Sequence, residues 1–289
     1  MSTGAVFVST GSFSGRPAES VGRLLDDGVE FIELSGGVPH LGLEQSIRDL
    51  SDRAHLQLHN YFPPADPPFV FNLASRNEAI RSRTLQAMQR AIEFSAELGA
   101  ERYSLHAGFL VDPPVSFLGK SWKSLERTVV HEAESIFAGS VLELRERANG
   151  LGIRLLIENN VLTVGTRDQC GDDVLLMATR DQITTVMAQL PEDVGLLMDV
   201  AHLKVTARTM GTDPLKELQA LSGFTKGYHL SDNDGQSDSN GLVTAESWFW
   251  PALDPTVEFA TLEVAPGDGV DFKAQVQLTK EFWQTGGSR

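Results

Sequence analysis

The 289-residue sequence predicts a single α/β domain, a (β/α)8 barrel over residues 1–289, and three observations carry that reading. First, eight short apolar runs alternate with eight helix-like segments. Such alternation implies right-handed βαβ crossovers and a parallel sheet, and eight units in this length favour a closed barrel over an open doubly wound sheet. Second, no Gly-x-Gly-x-x-Gly follows the first run, which argues against dinucleotide binding. Third, the last four runs each end in a metal-capable side chain, at the strand ends where barrels of this type carry chemistry.

The strands are expected at residues 5–9, 29–34, 55–60, 102–106, 153–158, 194–199, 225–231 and 259–264. Each is a short run of mainly apolar residues bounded by turn formers. Helices are expected at 17–27, 43–53, 76–98, 122–149, from the loop ending near Gly171 to Leu190, and at 213–221, 246–253 and 271–283. In the third, Ile80, Thr84, Met88, Ala91, Ile92 and Ser95 keep helical spacing, and Gly99 marks its stop. In the fourth, Leu125, Val129, Ala133, Ile136, Ser140 and Leu144 form one stripe. Pro63, Pro64, Pro67 and Pro68 forbid a helix in the loop 61–74, whose aromatic residues favour order. The loop 232–241 is polar and expected to be mobile, and 285–289 a frayed tail.

Composition narrows the function classes. A formal net charge of −15 repels phosphate backbones, so nucleic acid is not an expected partner. No apolar run reaches membrane-spanning length, and the first residues lack a basic segment followed by a long apolar one. The single cysteine, Cys170, excludes an intramolecular disulfide and has no evident activating partner. A cytoplasmic protein is the expectation, free of membrane and open to homo-oligomer formation.

Strand side chains alternate faces with period two. On the late strands Leu155, Ile157, Leu196, Met198, Tyr228, Leu230, Leu262 and Val264 suit the layer against the helices. The opposite set, expected inside the barrel, is Leu156 and Glu158, Leu197 and Asp199, Gly227 and His229, Thr261 and Glu263. Gln57 and His59, and Ser104 and His106, obey the same rule. Carboxylates and imidazoles crowded into one barrel mouth repel or strand one another without a cation. Two Glu, one Asp and one His make an oxygen-rich site suited to Mn²⁺, Mg²⁺ or Co²⁺, and additional His ligands shift the preference toward Zn²⁺.

The strand-end pattern Glu158, Asp199-x-x-His202, His229, Glu263 resembles the xylose-isomerase-like TIM barrel superfamily, whose members include sugar and sugar-phosphate isomerases and epimerases and metal-dependent abasic-site endonucleases. The resemblance implies a metal held by Glu158, Asp199, His229 and Glu263, with the two Glu residues exchanging a proton through an enediolate and His202 contacting substrate oxygens. Two departures from the epimerase pattern stand out. Leu230-Ser231-Asp232-Asn233-Asp234-Gly235 lacks the Arg that follows the seventh-strand His, and Asn159-Asn160 stand where a further Glu is usual. In the endonuclease branch His59 and His106 match additional ligands, but Asp232, Asp234 and Asp238 have no accompanying His.

A second metal or a substrate contact is accordingly expected of His59 and His106, and a substrate or supporting role of Glu33. Arg167 and Lys204 are candidates for binding a phosphate or carboxylate. Trp248 and Trp250 suit packing or a sugar-stacking lid. His40, His55 and His131 have no expected catalytic role. The resulting expectation is a divalent-metal-dependent isomerase or epimerase of a sugar or sugar phosphate. A hydrolase, lyase or dehydratase on the same scaffold, or a non-catalytic sugar-binding barrel, are the alternatives.

Overall fold

In the computed structural model the eight strands close into a parallel barrel in sequence order. They are β1 (Ala5–Ser9), β2 (Phe31–Ser35), β3 (His55–His59), β4 (Arg102–His106), β5 (Arg154–Glu158), β6 (Gly195–Asp199), β7 (Thr225–Leu230) and β8 (Phe259–Leu262). The structure describes residues 4–267 and 269–285; most of the expected C-terminal tail lies outside them. Helices α1 (Pro17–Asp26), α2 (Leu43–Ser51), α3 (Glu78–Glu97), α4 (Val130–Gly150), α5 (Val164–Cys170), α6 (Arg180–Met187), α7 (Val200–Met210), α8 (Pro214–Leu221) and α9 (Phe272–Thr285) surround it. No helix among the described residues is long and apolar enough to cross a membrane.

The strand parity read from the sequence holds. The outward set, Leu155, Ile157, Leu196, Met198, Tyr228, Leu230, Leu262 and Val264, lies in the main core between barrel and helices. Phe7, Leu156, Leu197 and Phe259 form a separate apolar cluster inside the barrel, with Ala5 and Phe31 packed against it. This cluster is the floor of the interior. Gly227 shares it: a Cβ there would sit 2.2 Å from Phe259 Cζ, so β7 can pass the ring only without a side chain at this position.

Four element expectations change. The fourth helix starts at Val130, not at residue 122. Residues ahead of it are drawn onto the β4 loop instead: Thr128 N donates to Leu110 O at 2.7 Å, and Trp122 packs edge-on against Phe109. The expected sixth helix is the second of two, because α7 follows β6 directly. Val200, Ala201, His202, Leu203, Val205, Thr206, Ala207 and Thr209 are all buried, so α7 shows no single apolar stripe to read. Between Glu158 and Leu190 the order is reversed from expectation: α5 lies in the expected loop, and α6 starts only at Arg180, behind a Thr179–Gln182 capping box. Finally, the aromatic-rich segment 246–253 holds only one 3-10 turn, Trp250–Ala252.

The two long loops are packed. In the Pro-rich loop Phe62 is fully buried, Tyr61 and Phe69 lie against Phe71, and the Arg83 guanidinium sits 3.8 Å above the Phe69 ring. The loop 232–241, expected to be mobile, is closed by a bridge between Asp232 and Gly241 and pinned to α7 by Lys204 and Arg208.

Candidate metal centre

The site sits at the C-terminal ends of β2 to β8. Parallel pairing in register brings the ends level: His106 beside Glu158, and Asp199 beside His229. Glu263 follows the last residue of β8, and its N–H donates to Leu230 O at 3.1 Å. One ligand atom each of Glu158, Asp199, His229 and Glu263 lies within 4.8 Å of the other three. His59, His106 and Glu158 meet the same condition, as do Glu33, His59 and His229.

Glu158 is the hub and is fully buried. Its oxygens lie 3.1 Å from His59 Nε2, 3.5 Å from His106 Nε2, and 3.4 Å from both His202 Nδ1 and His229 Nδ1. None of these approaches is aligned as a hydrogen bond: both Glu158 oxygens and His229 Nδ1 are buried without such a partner. Buried polar atoms are ordinarily satisfied, and an acceptor cluster with unsatisfied lone pairs is what a cation needs. Three carboxylates and one imidazole facing a common point therefore fit a divalent ion.

The surroundings orient the cluster. Asp199 ends β6 and caps α7, accepting from His202 N at 2.7 Å. Asn159 brackets Asp199, accepting from its N–H at 2.8 Å and donating to its carbonyl at 3.1 Å. The His202 ring is held between Asn159 O (2.8 Å to Nδ1) and Asp238 Oδ2 (3.2 Å to Nε2). His59 Nδ1 pairs with Ser104 Oγ at 2.9 Å. His229 Nε2 meets the buried Glu33 carboxylate at 3.2 Å, which turns Nδ1 toward Glu158 and Glu263.

Proton affinities in the metal-free cluster follow from these contacts. Burial pushes Glu158 up, but His106, His229 and His59 outweigh it and hold the carboxylate well below its ordinary value. Burial raises Asp199 to about 7, opposed by His202 and reinforced by Glu158, Asp238 and Glu263. Glu263 is raised by burial as well, with His229 pulling it down. Burial lowers His229 and His202, yet the carboxylates around each win, and both are held well above the ordinary imidazole value. Burial and the neighbouring imidazoles push His106 down; its side chain is 30% exposed, so solvent softens that push.

Of the sequence candidates, Glu158, Asp199, His202, His229, Glu263, His59, His106 and Glu33 are thus brought together. Arg167 and Lys204 are engaged elsewhere. Arg167 donates to Thr209 O at 2.6 Å near the end of α7, and Lys204 to Asp232 Oδ1 at 2.7 Å. Trp250 is buried and donates to Thr244 O at 2.8 Å, as a packing residue does, and Cys170 is buried. Sequence reasoning missed Asn159, Gln57 and Asp238 as supporting groups. The signal for Asn159 was its place directly after Glu158: a strand-end Asn whose amide can pair with a neighbouring backbone on both sides.

The class of the protein is set by a closed eight-stranded parallel barrel with a carboxylate–imidazole cluster at its C-terminal mouth. The family described as xylose isomerase-like TIM barrel matches residues 22–282, and the chain belongs to it. An uncharacterised protein of Methanocaldococcus jannaschii is 23% identical over 198 residues, 67% of this chain and 57% of that protein's own length. Among solved structures, a D-tagatose 3-epimerase-like protein superposes with a TM-score of 0.72 at 19% identity, covering 98% of both chains. An L-ribulose 3-epimerase superposes with a TM-score of 0.65 at 15% identity, covering 98% of this chain and 95% of the other.

Proposed function

We propose that the protein is a divalent-cation-dependent isomerase or epimerase of a sugar. The observation that carries this reading is the convergence of Glu158, Asp199, His229 and Glu263, with both Glu158 oxygens and His229 Nδ1 buried without a hydrogen-bond partner. These four residues would hold the ion. When bound, it supplies Lewis acidity that stabilises negative charge developing on substrate oxygens.

The two glutamates are the proton carriers of the reading. Glu263, 16% exposed, faces the mouth and binds a proton more readily than an ordinary glutamate. Glu158, 1% exposed, lies deeper. Two carboxylates reaching one carbon from different strands can remove a proton on one side and return it on the other. General acid–base transfer of this kind contributes about 10²–10⁴-fold. His202, with Nδ1 committed to Asn159 O, would donate from Nε2 to a substrate oxygen that takes the place of Asp238. The sugar epimerases among the structural neighbours support this choice of substrate class.

The test is deuterium incorporation from solvent into a panel of ketoses by manganese-loaded protein. Exchange at one carbon next to the carbonyl is expected, and Glu158→Gln and Glu263→Gln each abolish it. Exchange that survives in both variants refutes the assignment. A second reading, metal-dependent hydrolysis, draws on the second convergence of His59, His106 and Glu158, which offers room for another cation. Phosphodiester cleavage without carbon-bound proton exchange would favour it.

A further inference from the structure

Beneath the cluster, Arg102 enters the barrel interior from the floor. It is 7% exposed, and its guanidinium lies 4.3 Å above the Phe259 ring centroid and 5.9 Å from that of Phe7. A charge placed this deep needs partners. One is Glu101, whose carboxylate accepts from Nη2 at 2.5 Å. The other is Gln57, whose Oε1 accepts from Nη1 at 3.2 Å.

From Gln57 a polar chain climbs to the site. Gln57 Nε2 donates to Glu33 Oε2 at 2.8 Å and to Thr261 Oγ1 at 3.0 Å. The Thr261 hydroxyl donates onward to Glu33 Oε2 at 3.1 Å. Glu33 in turn receives His229 Nε2 at 3.2 Å. The polarity of this chain has only one solution. A guanidinium only donates and a carboxylate only accepts, so an amide between them must turn its oxygen down and its nitrogen up. Without the guanidinium the amide oxygen loses its partner, and Gln57 is held only from above, by Glu33 and Thr261, so its donation to Glu33 is less firmly fixed.

We propose that Arg102 is a positioning residue: by fixing the Gln57 amide it keeps a donor on Glu33, the carboxylate that holds His229 Nε2 and leaves Nδ1 for the cation. With Glu33 held as an acceptor, His229 keeps its proton on Nε2 and offers Nδ1, the nitrogen that faces Glu158 and Glu263. The inference rests on the cation reading above. Carboxylates behind a metal-bound histidine tune its affinity in this way, and their loss weakens binding about 10–100-fold.

The floor offers a means of testing it. A cavity of about 700 Å³, lined in part by Phe7, Phe31, His55, Gln57 and Arg102, opens at the N-terminal ends of the strands. A small guanidinium compound can enter the space that Arg102→Met vacates. Zinc titration of metal-free protein by calorimetry is expected to show about 10–100-fold weaker binding for Arg102→Met and for Gln57→Met. Methylguanidinium should restore part of the affinity in Arg102→Met and none in Gln57→Met. Phe31→Leu, which alters the same floor without touching the chain, should bind within about twofold of wild type, separating positioning from a loss of structure. In zinc-loaded wild type the nitrogen spectrum should show His229 bound through Nδ1. Should Arg102→Met fail to fold, Arg102→Gln, which is too short to keep the donation to Gln57 Oε1, should show the same weakening, and unchanged affinity in it overturns the inference. Unchanged affinity in the variants alongside normal uptake by wild type, or coordination through Nε2, overturns this inference alone; no uptake by wild type overturns the cation reading and this inference with it.

Discussion

Replacing Gly227 by alanine tests the inward register on which the site depends. The added methyl would lie 2.2 Å from Phe259 Cζ, 2.3 Å from Cε1 and 3.0 Å from Cε2. Carbon atoms in contact sit about 3.5–4.0 Å apart, so ring or strand must shift by more than 1 Å, roughly. The ring has little room: Phe259 is 1% exposed, with the Phe7 ring at 6.2 Å and the Arg102 guanidinium at 4.3 Å. Overpacking of this kind costs about 1–3 kcal/mol. At about 2–4 °C per kcal/mol for a large domain, Tm should fall by roughly 2–12 °C in a calorimetric scan of metal-free protein. Gly227→Ala combined with Phe259→Leu should recover most of the loss, since the smaller side chain clears the methyl. A Gly227→Ala protein as stable as wild type would mean that this face of β7 is not interior. His229, two residues on and on the same face, would then not point into the mouth either.

Three further outcomes follow from the geometry. Adding manganese or zinc to chelator-treated protein should raise Tm, because a ligand at about a hundredfold above its Kd stabilises the folded state by about 2.7 kcal/mol; identical scans with chelator and with metal would count against a cation site. Cation affinity should fall as pH drops below about 7, where the raised Asp199 holds a proton that the ion must displace, and proton release should appear as buffer-dependent heats; affinity constant between pH 6 and 8, roughly, would contradict this. Asn159→Ala should destabilise the protein by about 2–6 kcal/mol in denaturant unfolding, since it strands both the N–H and the carbonyl of Asp199; a change below about 0.5 kcal/mol would show that β6 does not rely on the bracket.

Much of the molecule is legible from local pattern. Period-two alternation on β5 to β8 sorts core-facing Ile157 and Met198 from interior Glu158 and Asp199, because a pleated strand leaves no other choice of face. The recurrence of carboxylate or imidazole at successive strand ends is likewise visible without coordinates. Helix boundaries were read less well where tertiary contact overrides periodicity. α7 is buried on most sides and shows no stripe, and residues ahead of Val130 keep helical spacing yet are drawn onto Leu110 and Phe109.

The sequence by itself determined the eightfold alternation, the inward parity and the kinds of side chain at the mouth, since each depends only on neighbours along one strand. Only the tertiary structure decided which of them meet. Barrel closure sets Glu33 of β2 against His229 of β7, and turns Arg167 and Lys204 onto α7 and its neighbouring loop instead of the cluster. It also builds the chain from Arg102 through Gln57 to Glu33, across three strands. Hydrogen-bond polarity and charge compensation are properties of atoms in contact, and those contacts join residues as far as 228 positions apart, beyond the reach of any local pattern.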